Sequence, residues 1–183
     1  MRIVGGMYRG HRLFAPKGLS TRPTTDRTRE SLFNILGNKI DFDAIRVIDL
    51  FAGTGALGLE AISRGAEFCL FVEEAAQPCA AIRNNIEALA VEGSTKLIKR
   101  SATRLGKPME LARFDLAFLD PPYGKGLGEK AACVLRDYNW LNEDALLVLE
   151  EHSKAFPESL NGFELNDLRQ FGDTSIGMFQ MKN

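Results

Sequence analysis

From Arg46 onward, short apolar runs alternate with longer stretches whose apolar positions repeat at helical spacing. Residues 47–50, 68–72, 96–99, 116–119 and 145–150 read as strands, and the continuous apolar ones read as buried on both faces. Residues 55–64, 76–89 and 129–138 read as helices. The first of these puts Leu57, Leu59, Ala61 and Ile62 inward with Gly65 after its end, and the second carries Pro78 in its first turn. Strand–helix alternation of this kind predicts right-handed crossovers and a parallel sheet covered on both faces. The end of the chain differs. Residues 163–171 and 175–181 read as strands joined by Gly172-Asp173-Thr174, an antiparallel hairpin.

The start differs too. Residues 2–4 and 12–14 read as short strands around Gly5, Gly6 and Gly10, a small hairpin. Thr24 or Thr25 then caps a helix with Asp26 in its first turn, Leu32, Phe33, Ile35 and Leu36 on its apolar face, and Gly37 ending it. The expected organisation is one domain: a basic hairpin and helix over 1–40, appended to an α/β core over 41–183. Residues 157–162 read as the loosest loop, and Trp140 as the anchor of the turn before the fifth core strand.

Two strand ends carry candidate chemistry. The run Leu116 to Leu119 stops in Asp120-Pro121-Pro122-Tyr123. Neither proline can donate to a ladder, and each restricts the residue before it, so the turn is stiff. Asp120 and the Pro121 carbonyl are acceptors that can take the two hydrogens of an exocyclic amino group, and Tyr123 offers a face on which a base can stack. The bland alternative is a Pro-Pro turn with a surface tyrosine. The second strand end is Asp49-Leu50-Phe51-Ala52-Gly53-Thr54-Gly55-Ala56-Leu57-Gly58, where Gly53 and Gly55 let backbone approach a ligand. Gly53, Gly55 and Gly58 also satisfy the dinucleotide pattern G-x-G-x-x-G, which makes a dehydrogenase a rival. Asp49 argues against a pyrophosphate and for a cationic ligand such as S-adenosylmethionine. Glu73, closing the next strand, suits ribose hydroxyls.

Composition narrows the picture. The chain has 183 residues, 45% hydrophobic, enough for a core. No apolar run approaches the ~20 residues of a membrane span. The N-terminus lacks a signal peptide's apolar segment, and Cys69, Cys79 and Cys133 show no paired spacing. A cytoplasmic location without a metal site is expected. Net charge is −1, but residues 1–40 hold eight Lys/Arg against Asp26 and Glu30. A basic arm on an acidic body predicts a polyanion partner. His11 is expected on that arm as a polar residue, and His152, past the fifth core strand, on a surface loop, with the edge of the pocket as the alternative.

Asp49-Leu50-Phe51-Ala52-Gly53-Thr54-Gly55 together with Asp120-Pro121-Pro122-Tyr123 resembles the Rossmann-like, class I methyltransferases that act on exocyclic amino groups. Arg2-Ile3-Val4-Gly5-Gly6, Gly10, Leu13, Pro16, Arg22-Pro23-Thr24, Arg29-Glu30, Phe33 and Leu36 narrow the resemblance to bacterial 16S rRNA guanine-N2 methyltransferases of the RsmD type. Phe171-Gly172-Asp173-Thr174 fits as well, so the resemblance spans nearly the whole chain. It implies a seven-stranded, mostly parallel sheet with a C-terminal antiparallel hairpin and a small N-terminal hairpin arm. It implies S-adenosylmethionine as cofactor, with Asp49, Phe51, Gly53 and Gly55 along it and Glu73 at the ribose. Asp120, Pro121, Pro122 and Tyr123 would receive a guanine of 16S rRNA, on assembled 30S particles. Arg2, Arg9, Arg12, Lys17, Arg22, Arg27 and Arg29 would meet the RNA.

One departure stands out. After the third core strand, where such enzymes often place an acid for the adenine amino group, this chain has Lys99-Arg100-Ser101-Ala102. Ser101 and the Ala102 backbone are the expected substitutes. A DNA adenine or cytosine amino-methyltransferase shares the Asp-Pro-Pro-Tyr turn but normally carries extra sequence to read a duplex. A glutamine-modifying protein methyltransferase usually has Asn at the Asp120 position. A binding module that retains the cofactor without chemistry is the rival of a different class.

Overall fold

A computed structural model describes residues 1–16, 26–108 and 111–182. Among these residues four α-helices, α1 (Asp26–Gly37), α2 (Ala56–Ser63), α3 (Ala76–Leu89) and α4 (Leu127–Asp137), accompany seven strands. These are β1 (Arg46–Leu50), β2 (Phe68–Glu73), β3 (Thr95–Lys99), β4 (Phe114–Leu119), β5 (Leu141–His152), β6 (Phe163–Phe171) and β7 (Thr174–Met181). They form one sheet in the order β3-β2-β1-β4-β5-β7-β6. β1 to β5 run parallel to one another, and β7 is antiparallel to both β5 and β6. The seven-stranded Rossmann-like sheet with a terminal hairpin is therefore present.

Strand alternation sends side chains to two cores. Val47, Phe71, Leu116 and Phe118 pack with Leu32 and Phe33 of α1, Leu57 and Leu59 of α2, and Ile82 and Ile86 of α3. Ile48, Leu50, Leu70, Ala117 and Leu119 pack on the other face with Ala131 and Leu135 of α4 and with Trp140. Trp140 stacks on Phe114 with centroids 6.0 Å apart and donates to the Gly106 carbonyl at 2.7 Å. The chain runs outward from β1 to β3, then crosses back to β4 on the other side of β1. A crevice therefore opens between the carboxyl ends of β1 and β4, where open α/β sheets bind ligands.

Two elements differ from the sequence expectation. β5 begins at Leu141, because Leu141 pairs with Phe114 before a register shift, and the polar Asn142-Glu143-Asp144 bridge the shift. These three residues break the apolar run that marks the strand. The N-terminal hairpin reduces to a single antiparallel bridge between Arg2 and Arg12. Its backbone is tied to itself, with Ile3 N–H donating to the His11 carbonyl at 2.9 Å, Gly10 N–H to the Ile3 carbonyl at 2.8 Å and Leu13 N–H to the Met1 carbonyl at 3.1 Å, and it is tied to the core as well. Val4 N–H donates to Glu60 at 2.8 Å, Tyr8 N–H to Ser63 Oγ at 2.9 Å, and Phe14 N–H to Asn85 Oδ1 at 2.6 Å. Ile3 and Leu13 are buried in the same core as Leu32 and Phe33. The expected capping residues Thr24 and Thr25 lie outside the described residues.

Glu60 is the centre of this attachment. It is fully buried, and beyond Val4 it accepts from Arg64 Nε at 2.8 Å and lies 3.9 Å from Arg29 Nε. Removing one partner from a buried charged network leaves the others uncompensated. Glu60→Ala is expected to lower stability by about 3–5 kcal/mol, measured by urea unfolding. Glu60→Gln, which keeps an acceptor for Val4, is expected to fall between.

Candidate active site

β1 ends in a glycine turn because its next residues cannot continue a strand. Phe51 has φ 60°, Gly53 57° and Gly55 78°. Side-chain carboxylates then lock the turn. Gly53 N–H donates to Glu73 Oε2 at 3.0 Å, Ala75 N–H to Glu73 Oε1 at 2.8 Å, and Gly58 N–H to Asp49 Oδ2 at 3.0 Å. Gly58 is a packing residue: a Cβ there would sit 2.4 Å from the Phe71 ring and 2.5 Å from Cys69 Sγ. The two amides that a pyrophosphate would claim at this turn and at the start of α2 are thus engaged by carboxylates, which disfavours a dinucleotide.

β4 ends beside it. Leu50 pairs with Leu119, so Asp120 follows one residue past a strand tip adjacent to the Asp49 turn. Leu119 in turn pairs with Leu149, which puts Asp120 beside Glu150 of β5. Tyr123 O–H donates to Glu150 Oε1 at 2.7 Å, and Gly124 N–H to Glu151 Oε1 at 3.1 Å. Both glutamates are buried.

The two turns open into one cavity of about 720 Å³. Asp49, Phe51, Gly53 and Glu73 line one end, and Asp120, Pro121, Pro122 and Tyr123 the other. Gly55 caps α2 just behind the lining. Ala102 lines the cavity but Ser101 does not; its hydroxyl lies 3.2 Å from that of Thr103. Arg100, which the sequence reading left without a role, lines it instead, with Nη1 donating to the Leu105 carbonyl at 2.9 Å.

Acidic side chains crowd the inner part of this cavity, which Arg29 and Arg100 also line. Burial pushes the Asp49 carboxyl up to about 8; the nearby Glu73 charge adds to this and the Gly58 N–H opposes it. Burial likewise holds Asp120 well above the carboxylate range, and Glu150, Asp49 and Glu151 add to the rise. A bound positive charge would relieve this crowding. Among the described residues no group of His, Cys, Asp and Glu is arranged to hold a metal ion. No helix among them is long and apolar enough to cross a membrane.

On the arm, Arg2, Arg9, Arg12 and Arg27 are exposed, as is His11. Lys17 and Arg22 lie outside the described residues. Arg29 corrects the sequence reading. Its side chain is 1% exposed; it donates to Asp26 at 2.9 Å and to the Arg2 carbonyl, and faces Glu60. It is a buried cation that fastens the arm and lines the cavity, not an exposed one. His152 is not on a surface loop: it closes β5, half-buried, with its ring edge-on to Tyr123 at 6.3 Å, beside the pocket as the alternative had it.

The model of the family described as conserved hypothetical protein 95 matches residues 1–180. The chain belongs to this family, the RsmD family. Ribosomal RNA small subunit methyltransferase D of Escherichia coli is 34% identical over 185 residues, covering 98% of this chain and 89% of that protein. The protein of the same name from Haemophilus influenzae is 36% identical over 152 residues, covering 82% and 78%. The solved structure of yhhF from Escherichia coli superposes with a TM-score of 0.85 at 32% identity, covering 100% of this chain and 98% of that one. RsmD membership places the glycine turn and the Asp-Pro-Pro-Tyr turn of this chain in a methyltransferase framework.

Proposed function

We propose that this chain transfers a methyl group from S-adenosylmethionine to the exocyclic N2 amine of a guanine in 16S rRNA, with assembled 30S particles as substrate. The observation that carries this reading is the shared cavity: the Asp49 glycine turn and the Asp120–Tyr123 turn open into the same space. The residues present fit the cofactor. Asp49 and Glu73 accept from the loop amides, so the loop offers acceptor oxygens and, as Asp49 ionises beside a cation, negative charge, suited to an ammonium, a sulfonium and ribose hydroxyls. Asp49, Phe51 and Gly53 would hold the methionine part, Glu73 the ribose, and Arg100 and Ala102 the wall beyond it.

S-Adenosylmethionine supplies, when bound, an electrophilic methyl carbon, so that a C–N bond to N2 forms as the C–S bond breaks and N2 sheds one proton. The chain's own part is positioning and exclusion of water. An aryl amine is a weak nucleophile because its lone pair is delocalised into the ring. Asp120 and the Pro121 carbonyl, held by a turn that cannot flex, take its two hydrogens and favour a pyramidal nitrogen. Tyr123 stacks on the base, a contact worth about 1–3 kcal/mol. Extruding the base costs a few kcal/mol, less where it is already unstacked. The exposed Arg2, Arg9, Arg12 and Arg27, with Lys17 and Arg22, would meet phosphates of a pre-formed RNA surface read by shape.

The test is transfer of labelled methyl to under-methylated small-subunit particles, compared with naked 16S rRNA, with the product base mapped by mass spectrometry. Methylation of the particles at a guanine N2 is expected, with weaker transfer to naked RNA. Absence of transfer to both would overturn the reading.

A further inference from the structure

We propose that Glu150 is a positioning residue of this site: from the end of β5 it holds the Tyr123 ring by its hydroxyl, so that the ring stands as a fixed wall next to Asp120. The inference rests on the methyl-transfer reading of the cavity and adds to it a residue outside both sequence motifs.

The two prolines stiffen the backbone through Pro122, but they do not fix the side-chain torsions of Tyr123. A stacking wall that rotates freely loses part of its value, because the base must order it on binding. The geometry supplies the missing restraint. Tyr123 O–H donates to Glu150 Oε1 at 2.7 Å, the length of a charge-assisted bond, and Thr174 Oγ1 lies 3.4 Å from the same hydroxyl. The next residue on β5 holds the next residue of the turn, since Glu151 Oε1 accepts from Gly124 N–H at 3.1 Å. His152 closes the series with its ring against Tyr123. Three consecutive residues at the end of β5 thus grip the far end of the Asp-Pro-Pro-Tyr turn.

Packing alone does not ask for a glutamate here. Glu150 is 5% exposed, and a carboxylate so buried is costly unless its charge is used. It also stands beside Asp120, which is unfavourable to both. Burial, then Glu150, raises the Tyr123 phenol, so the hydroxyl keeps its proton and remains a donor throughout the working range. The charged groups facing Asp120 are Glu150 and Glu151 from β5 and Asp49 from β1. Those facing Tyr123 are Glu150 and Asp120. Glu150 therefore has two separable effects: it holds the ring by accepting a hydrogen bond, and it keeps the Asp120 proton by its charge.

The experiment is a double-mutant cycle on small-subunit particles, read as kcat and KM against pH, for Glu150→Ala, Glu150→Gln, Tyr123→Phe and the Glu150→Ala/Tyr123→Phe pair. Each of Glu150→Ala and Tyr123→Phe is expected to lower kcat by about tenfold, the worth of one hydrogen bond, with KM for S-adenosylmethionine unchanged. The pair is expected to lose no more than either single variant, because both remove the same contact. Glu150→Gln keeps an acceptor oxygen and removes the charge. It is expected to retain most of kcat at high pH and to move the acidic limb of the kcat profile to lower pH. A second readout needs no RNA: tyrosine ring-carbon NMR of the free protein, which has three tyrosines to assign. The Tyr123 resonance is expected to shift and sharpen in Glu150→Ala as the ring is freed. Additive losses in the pair, or a Tyr123 resonance unmoved by Glu150→Ala, would overturn the proposal. If wild-type protein methylates no particle, the function reading fails, and the NMR shift alone decides whether Glu150 holds the ring. If Glu150→Ala does not fold, Glu150→Leu, which fills the space without an acceptor, takes its place both in the cycle with Tyr123→Phe and in the resonance measurement.

Discussion

Asp120→Ala is expected to abolish methyl transfer while S-adenosylmethionine still binds. The expected loss in kcat is about 10³-fold, roughly 4 kcal/mol of transition-state stabilisation. The size follows from what Asp120 does in the proposed reaction. The amine must give up conjugation with its ring to present a lone pair, and Asp120 holds one of the two hydrogens that set its geometry. Strand β4 stops immediately before it, and two prolines immediately after prevent the backbone from compensating. Cofactor affinity is spared because the carboxylates nearest the glycine turn are Asp49 and Glu73. Asp120→Asn keeps one acceptor oxygen but adds two donors, so its activity is expected to lie between the wild type and the alanine variant. Because burial and neighbouring acids hold the Asp120 carboxyl high, its ionised, accepting form grows with pH, and wild-type kcat is expected to rise with it. Single-turnover transfer to particles, with cofactor affinity measured by calorimetry, checks both halves. Unchanged turnover in Asp120→Ala would remove the residue from the mechanism.

The strand tips were legible because their signals are local. A run such as Leu116 to Leu119 halted by two prolines, or Val47 to Leu50 followed by Gly53 and Gly55, needs no distant partner to be read. That the two tips stand side by side comes from the sheet order, which sets β4 next to β1. What was not legible depends on long-range pairing. Glu60 and Asn85 read as ordinary polar helix positions, yet they bind arm backbone 56 and 71 residues away. Glu150 belongs to the site because β5 pairs with β4, and Thr174 because β7 inserts next to β5; no pattern along the chain announces that insertion.

Arg29 is different, since a local signal existed. It precedes Leu32 by three residues, Phe33 by four and Leu36 by seven, which places it on the apolar face of α1, and Asp26 stands three residues before it. Counted as one more cation of a basic arm, it reads as an RNA contact. Placed on the helical wheel, it reads as a buried ion pair. Helical position is therefore the better guide where a basic cluster runs into a helix.

The pH dependence of cofactor binding gives the second large effect. Asp49 is an ordinary carboxyl in the unfolded chain, near 3.8, and is raised to about 8 in the folded one. Between these values the folded protein holds a proton that the unfolded chain has lost. Stability of the free protein from this group is therefore expected to fall as pH rises from about 4 to about 8 and to level off above. A cation bound beside Asp49 reverses the preference, since it favours the carboxylate. Binding should then expel a proton below pH 8, and affinity should climb with pH by up to about tenfold per unit. The ligand's own α-amine titrates near 8, so the climb is read between about pH 6 and 7.5. Asp49→Asn removes the titrating group. It is expected to flatten this slope, to weaken binding at pH 7.5 by about 10- to 100-fold, or 1.4–2.7 kcal/mol, and to raise the melting temperature of the free protein at pH 8. Calorimetry in two buffers of different ionisation enthalpy measures the released proton directly. A slope that survives in Asp49→Asn would assign the proton to another acid of the cavity, and a wild-type affinity independent of pH would remove the cation from beside Asp49.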